Sequence, residues 1–196
     1  MSDNNDLNRS QIPQRILLVF FALFTTAHDS PGAQPTARET DVKATFLFNF
    51  SQFVKWPDTA FSDGQAPFVI GILGTNPFGE FLETLVKNER AHGRPIVVKH
   101  FARVEESYGS HILFMSRSER DKLDSHLEKL KGRPILTVSE TGERRFLRQG
   151  GIVGLVTESN RVRLRINLQA ARTAQLAIDT KLLRLAEIFP PPPEKL

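Results

Sequence analysis

The densest run of apolar residues lies between Val42 and Pro57, where aromatic side chains recur at intervals of three and four positions. That spacing is the period of one helix face, so it predicts a helix, and Pro57 is predicted to end it because proline lacks a backbone donor. Two further rings, Phe48 and Trp56, lie off the main stripe. Apolar groups on more than one side indicate a helix that is covered twice, either within one core or by its own core and a second subunit.

Downstream, four short apolar runs alternate with signals for helices. The runs cover residues 68–73, 95–100, 111–115 and 135–138. The first is apolar throughout, as in a strand that is buried on both faces. Helix signals lie between the runs: Asn76–Pro77 precedes a predicted helix over 78–86, and a capping box from Ser116 to Glu119 precedes a helix that Gly132 is predicted to end. This order predicts an α/β fold with a mainly parallel central sheet flanked by helices.

The pattern changes to an alternation of apolar and polar residues on either side of Ser159–Asn160. A two-residue connection of this kind predicts a tight antiparallel hairpin at the C-terminal end of the domain. In that register the aliphatic side chains share one face, and three arginines point the other way. The arginines are Arg161, Arg163 and Arg165, and Glu158 lies directly opposite Arg161. We therefore expect one face of the hairpin in the core and the other in solvent.

Like charges on one strand face repel each other, so the arginine row is expected to be hydrated, paired with carboxylates, or bound to an anionic partner. Our candidates for partner binding are the charged residues of the hairpin and the two rings outside the helix stripe. They are Arg161, Arg163, Arg165, Glu158, Phe48 and Trp56. Because Arg163 and Arg165 are both expected in solvent, reversing their charge is predicted to weaken partner binding without unfolding the domain.

Beyond Asn167, apolar residues at helical spacing predict helix as far as Ile188, and Asp179 is predicted to cap its second half. The N-terminus has the layout of an export signal, because two arginines precede the apolar run Ile16–Phe24 and small residues follow it. That run is shorter than the roughly 20 residues of a membrane span. An uncleaved anchor helix is the alternative. The predicted organisation is a signal peptide (1–27), a flexible lead-in (28–41), one α/β domain (42–189) and a Pro-rich tail (190–196).

Composition narrows the range of functions. The net charge is +4, and removing residues 1–27 does not change it, because that segment holds two basic and two acidic residues. For an exported protein, this basicity favours an anionic ligand, a membrane surface or an acidic protein over nucleic acid. The chain has no cysteine, which excludes disulfides, thiolate catalysis and Cys-ligated zinc.

Motifs for catalysis and cofactor binding are missing from the sequence. The histidines have no metal-ligand spacing, and no serine lies in a nucleophile elbow. The glycines Gly71, Gly74 and Gly79 lie between a predicted strand and a predicted helix, but they fit neither nucleotide-binding pattern, so a plain turn is favoured. We therefore expect no enzyme and name no catalytic, cofactor-binding or metal-binding residue.

The order of these features resembles the YfiR family of small periplasmic regulators (YfiR/HmsC-like). The matching segments are VKATFLFNFSQFVKWP, FVIGILGTNPFG, HILFMSRSE, GGIVGLVTESNRVRLRIN and LLRLAEIF, which together span Val42 to Phe189. The resemblance implies a homodimeric α/β protein of the periplasm without an active site. It also implies a repressor that binds the periplasmic region of an inner-membrane diguanylate cyclase and thereby lowers cyclic di-GMP and biofilm formation.

The resemblance has two further implications. An outer-membrane lipoprotein sequesters the repressor in some systems that this chain resembles. Familiar members carry cysteines that form disulfides, so redox control of that kind is not expected here, where cysteine is absent. The alternative function is a periplasmic module that senses or binds a small ligand such as an anion or an amino acid, because a parallel sheet with basic residues can hold an anion in an interior cleft.

Overall fold

The computed structural model of the protein describes residues 39–190. The predicted signal peptide, nearly all of the lead-in and the tail beyond Pro190 therefore lie outside the described residues. Within residues 39–190, every helix is too short or too polar to cross a lipid bilayer.

Helices and strands alternate along the described chain. The helices are α1 (Glu39–Phe53), α2 (Phe81–Val86), α3 (Leu123–Leu130), α4 (Glu143–Arg148), α5 (Leu168–Thr173) and α6 (Thr180–Leu183). The strands are β1 (Val54–Lys55), β2 (Phe68–Leu73), β3 (Arg90–Ala91), β4 (Arg94–Phe101), β5 (Ile112–Met115), β6 (Leu136–Ser139), β7 (Val153–Glu158), β8 (Arg161–Asn167), β9 (Ala177–Ile178) and β10 (Ala186–Phe189). Short 3-10 helices cover Asp58–Ala60, Val104–Ser107 and Arg117–Lys122.

One large sheet organises the described chain, with the strand order β10-β8-β7-β6-β5-β2-β4-β3. Neighbouring strands from β4 through β2, β5 and β6 to β7 run parallel, and β10 runs parallel to β8. The pairs β7–β8 and β3–β4 are antiparallel, and β1 pairs with β9 in a small separate sheet. The predicted α/β fold, with a mainly parallel sheet and a C-terminal antiparallel hairpin, is therefore confirmed.

Helices cover both faces of the large sheet. On one face, α3 and α4 pack through residues such as Leu127 and Phe146 against Leu113 and Met115 of β5. Because side chains alternate along a strand, Ile112 and Phe114 project from the opposite face, and α1 contacts β5 and β8 there. Every residue of β2, β5 and β6 is buried, as expected for strands that are covered on two sides.

The aromatic helix α1 lies in the core, but it ends earlier than the sequence predicts. The helix stops at Phe53, and Val54 and Lys55 pair with Ile178 and Ala177 instead. The predicted end at Pro57 is wrong because strand pairing satisfies the backbone groups that a longer helix would have used. The Phe53 carbonyl also accepts a hydrogen bond from the backbone of Asp179, at 2.8 Å.

The segment after Asn167 also differs from its prediction as one helical region. It breaks into α5, β9, α6 and β10, and Ala186–Phe189 adds a parallel strand beside Leu164–Asn167. The prediction was wrong because β8 offers an open row of backbone groups, which the amphipathic pattern alone does not reveal. The predicted cap is confirmed, since the Asp179 carboxylate accepts a hydrogen bond from the backbone N–H of Lys181 at the start of α6.

The predicted capping box at Ser116 is also wrong. The Ser116 hydroxyl bonds to that of Ser118 at 2.9 Å, and the Glu119 carboxylate bonds to His126 and Lys122. Both side chains thus have partners outside the cap, and a 3-10 helix precedes α3. The leucine face of α3 is buried as predicted.

Replacing Phe50 by alanine should reduce the free energy of unfolding by about 3 to 5 kcal/mol, because the ring is fully buried under the sheet and would leave a cavity. Urea unfolding measures this change. A matched control is Leu185→Ala, which removes a side chain that is 39% exposed and should cost about 0.5 kcal/mol. Equal losses for the two variants would contradict the placement of α1 in the core.

Candidate functional site

The hairpin formed by β7 and β8 has the predicted register. Ser159 and Asn160 both have positive φ, at 48° and 60°, which is the conformation of a tight hairpin turn that suits the twist of the two strands. Glu158 lies opposite Arg161, and Gly154 lies opposite Arg165. The arginine row therefore occupies one face of the hairpin, and the aliphatic residues occupy the other.

The sequence predicted that Arg165 lies in solvent, and this prediction is wrong. Its side chain is only 14% exposed, and it donates hydrogen bonds to Glu143 at 2.8 Å, to Glu158 at 2.7 Å and to Glu187. These three carboxylates belong to α4, β7 and β10. One guanidinium thus joins three elements of the fold to β8, so Arg165 is a structural residue.

A glycine explains how Glu143 reaches Arg165. A Cβ atom at Gly154, the residue opposite Arg165, would lie 2.6 Å from Cγ of Glu143. The missing side chain leaves room for the carboxylate arm that descends from α4. Sequence reasoning missed Glu143 and Glu187 as partners of Arg165. A glycine within the apolar alternation of β7 was the available signal that another group approaches the strand closely.

The hydrogen bonds of this network shift the pKa values of two of its members, Arg165 and Glu187. Hydrogen bonds with Glu187 and Glu143 raise the pKa of Arg165, although partial burial acts in the opposite direction. The hydrogen bond with Arg165 is the main cause that lowers the pKa of Glu187. Charge-assisted hydrogen bonds of this kind are stronger than neutral ones, so the network fixes the geometry of the hairpin.

The remaining arginines lie on the surface above this network. Arg161 and Arg163 are exposed, and Arg163 lies near a carboxylate, with its Nε 3.5 Å from Glu158. Arg161 and the exposed Arg144 of α4 have no ion pair among the residues that the structure describes. Arg144 and Arg163 both lie close enough to Glu187 to lower its pKa. We call Arg144, Arg161 and Arg163 the arginine surface.

The two rings that were candidates for partner binding lie inside the domain. Phe48 is 8% exposed and Trp56 is 9% exposed. The Trp56 indole donates a hydrogen bond to the backbone carbonyl of His111 at 3.1 Å and packs edge-on against Phe68. Both rings therefore belong to the core, and the partner-binding role that we predicted for them stays a prediction.

A buried histidine lies beside Trp56, at the amino edge of β5. The His111 ring is stacked between Phe61 and Phe68, with centroid distances of 4.5 Å and 4.6 Å. Its Nδ1 accepts a hydrogen bond from the backbone N–H of Val69 at 3.0 Å, so this nitrogen carries no proton. Burial, with a smaller contribution from Arg94, lowers the pKa of His111 to about 4. The imidazole is therefore neutral near pH 7 and supports the core.

A polar crevice of about 460 Å³ opens at the carboxyl edge of the sheet, where β2 and β5 end. The strand order reverses at this point, since β4 lies on one side of β2 and β5 on the other, and open α/β sheets bind ligands at such points. Here the buried Lys43 already pairs with Glu39 and Glu140. The hydroxyl groups of Ser116 and Ser118 bond to each other. The crevice thus holds one internally paired cation, Lys43, and one exposed arginine, Arg117, which has no ion pair among the described residues.

Within residues 39–190, no three or more His, Cys, Asp or Glu side chains are grouped so that they could hold a metal ion.

A comparison with known protein families identifies the family of this chain. Residues 40–187 match the model of a family described as YfiR/HmsC-like, which is well over half of the chain. No curated protein matches the chain. The family is a regulatory family of the periplasm whose members act with a partner protein.

Replacing Arg165 by methionine should reduce the free energy of unfolding by about 2 to 3 kcal/mol, because three carboxylates would lose a shared cation. Arg163→Met, the matched control on the same strand, should cost less than about 1 kcal/mol because that side chain is exposed. Arg165 lowers the pKa of Glu187 below its ordinary value of 4.5. The stability that this ion pair provides should therefore be complete above pH 4.5 and should decline as the pH falls through the lower pKa of the folded state. Urea unfolding between pH 3 and 7 measures both effects. If the free energies of unfolding of the wild type and Arg165→Met differed more in acid than at pH 7, the structural role assigned to Arg165 would be contradicted.

The stability of the protein should fall as the pH drops from 6.5 towards 4, because the unfolded state protonates His111 before the folded state does. The loss attributable to this residue is about 3 kcal/mol at most. His111→Asn keeps an acceptor for the Val69 N–H but does not titrate, so its stability should change less over this range. Burial also lowers the pKa of His92, so some pH dependence should remain. Urea unfolding measures the free energy of unfolding at each pH. If that free energy falls equally with pH in the variant and in the wild type, His111 does not cause the pH dependence.

Proposed function

Because the chain belongs to the YfiR/HmsC-like family, we propose that it represses an inner-membrane diguanylate cyclase by binding the cyclase's periplasmic region. Repression lowers cyclic di-GMP and, with it, biofilm formation. The protein acts here by stoichiometric binding, and no chemical step is assigned to its residues.

The arginine surface is the observation that carries this proposal. Arg161 and Arg144 are exposed cations without an ion pair among the described residues, and Arg163 is paired only at 3.5 Å. Exposed cations of one sign on a fixed framework suit an acidic partner, because complementary charge raises the association rate and suppresses wrong partners. The framework is fixed because Arg165 joins the strand beneath these side chains to α4, β7 and β10.

The proposal also covers the export of the protein and its assembly with other proteins. Residues 1–27 direct export and are removed, so the mature chain works in the periplasm. Two copies form a homodimer, and an outer-membrane lipoprotein competes with the cyclase for the repressor. The family match supports these points in general terms, since family members are periplasmic and act with partner proteins.

Reversing the charge of Arg161 and Arg163, two of the three members of the arginine surface, should abolish repression without unfolding the protein. A strain that lacks the gene should contain more cyclic di-GMP, and the wild-type gene should restore the low level. The Arg161→Glu/Arg163→Glu variant should not restore it, because like charges would then face the acidic partner. The matched control is Lys87→Glu/Lys99→Glu, which reverses two exposed lysines near the opposite edge of the sheet and should restore the low level.

Arg165 is left unchanged in this test because its loss is expected to destabilise the fold. Thermal unfolding of both double variants checks that they are folded. Unchanged cyclic di-GMP in the deletion strain, in a host with a candidate cyclase, would contradict the proposed function. Full repression by Arg161→Glu/Arg163→Glu would instead contradict the arginine surface as the binding site.

A further inference from the structure

A second cleft lies at the amino edge of the sheet, on the side away from the polar crevice. Its volume is about 330 Å³, and it lies between the C-terminal end of α3 and the helix α5, where β6 and β7 begin. This volume is near the lower end for small-molecule sites, which are typically about 300 to 1,000 Å³. Neither the arginine surface nor the Arg165 network lines it, so the proposed partner binding does not account for it.

The floor of this cleft is apolar. Buried side chains contribute most of it, namely Leu127, Leu130, Ile135, Ile152 and Ala174. The two buried polar side chains in the floor already have partners within the domain. The Thr137 hydroxyl accepts a hydrogen bond from the backbone N–H of Ile152 at 3.1 Å, and the Asn167 amide bonds to the backbone of Leu147 and Ala170. A ligand on this floor therefore needs an apolar body rather than polar groups of its own.

The rim of the same cleft is positively charged. Three cations line it, Lys131, Arg133 and Arg148, against a single carboxylate from Glu128. Lys131 and Arg148 are exposed and have no ion pair among residues 39–190. The guanidinium of Arg133 stacks 3.6 Å above the ring centroid of Tyr108, which fixes its position without neutralising its charge. The surplus of positive charge favours an anionic group on the ligand.

The crevice at the carboxyl edge lacks this combination. Its buried cation, Lys43, is held by two carboxylates, and hydroxyl groups line much of the remainder. Arg117 is the second cation of that lining, so two cations there face the two carboxylates of Glu39 and Glu140, and an incoming anion would meet both carboxylates. The amino-edge cleft is therefore the better site for an anion with an apolar body, although open α/β sheets more often bind ligands at the other edge.

We propose that the amino-edge cleft binds a small amphiphilic anion, an organic acid whose apolar body covers the floor while its carboxylate faces Lys131 and Arg148. The apolar floor provides the affinity for the body, because each methylene that is removed from water strengthens binding roughly fourfold. The rim provides selectivity for the head group, since a neutral or cationic head would leave the cations unpaired or would be repelled.

Isothermal titration of the mature protein with octanoate tests this site at low ionic strength. Octanoate should bind, 1-octanol should bind at least tenfold more weakly, and octylammonium should not bind detectably. Hexanoate, which is two methylenes shorter, should bind roughly ten- to twentyfold more weakly than octanoate. Raising the salt concentration should weaken octanoate binding more than 1-octanol binding. These comparisons need no variant, so they hold even if a substitution impairs folding.

Variants then locate the site. Lys131→Gln/Arg148→Gln should weaken octanoate binding at least tenfold and leave 1-octanol binding unchanged, whereas the control Lys87→Gln/Lys99→Gln should bind octanoate like the wild type. Ala170→Leu places a larger side chain on the helix that borders the cleft and should weaken both ligands. Three results would overturn the proposal. The first is a failure of octanoate to bind at millimolar concentration, and the second is binding of octylammonium as tight as that of octanoate. The third is an equal loss of octanoate affinity in Lys131→Gln/Arg148→Gln and in the control Lys87→Gln/Lys99→Gln. None of these results bears on repression by the arginine surface, so the two proposals fail separately.

Discussion

The whole arrangement depends on one constraint, the burial of the central strands on both faces. β2, β5 and β6 have no exposed residue, so helices have to cover the sheet from two sides. α3 and α4 cover one face, and the aromatic helix α1 covers the other. Phe48 of α1 is buried inside the domain, and so is Trp56, which follows β1. The exposed arginines lie instead on the outer strand β8 and on α4.

The outer part of the sheet meets a different constraint, because β8 carries arginines on the face where α4 packs. Burying a charge is costly unless it is paired and hydrogen-bonded. Arg165 meets this condition with three carboxylates, and Gly154 makes the approach of Glu143 sterically possible. The same network anchors the strand that carries the exposed Arg161 and Arg163. A buried-side ion-pair network and two exposed arginines are thus built from alternate residues of one strand.

The two clefts differ in how their charges are balanced. At the carboxyl edge, Lys43 and its two glutamates form a closed set that ties α1 to the loop after β6. At the amino edge, three cations border an apolar floor with one carboxylate among them. The position of a cleft in an α/β fold is therefore a weaker guide to its ligand than the groups that remain unpaired around it. In the periplasm, such a site would let a regulator respond to a small molecule as well as to a protein.

The sequence by itself determined the α/β class, four strands of the sheet, and the hairpin with its register. It also indicated the family, through the aromatic helix and the hairpin. These depend on local periodicity and turn chemistry, which neighbouring residues decide. Tertiary structure alone decided where α1 ends, because Val54 and Lys55 find their partners in β9. It also decided that Ala186–Phe189 is a strand and that Arg165 is largely enclosed by carboxylates, since the open edge of β8 and the carboxylates of Glu143 and Glu187 come from distant parts of the chain. An amphipathic pattern specifies which residues avoid water, but it does not specify which distant backbone group or charge will meet them.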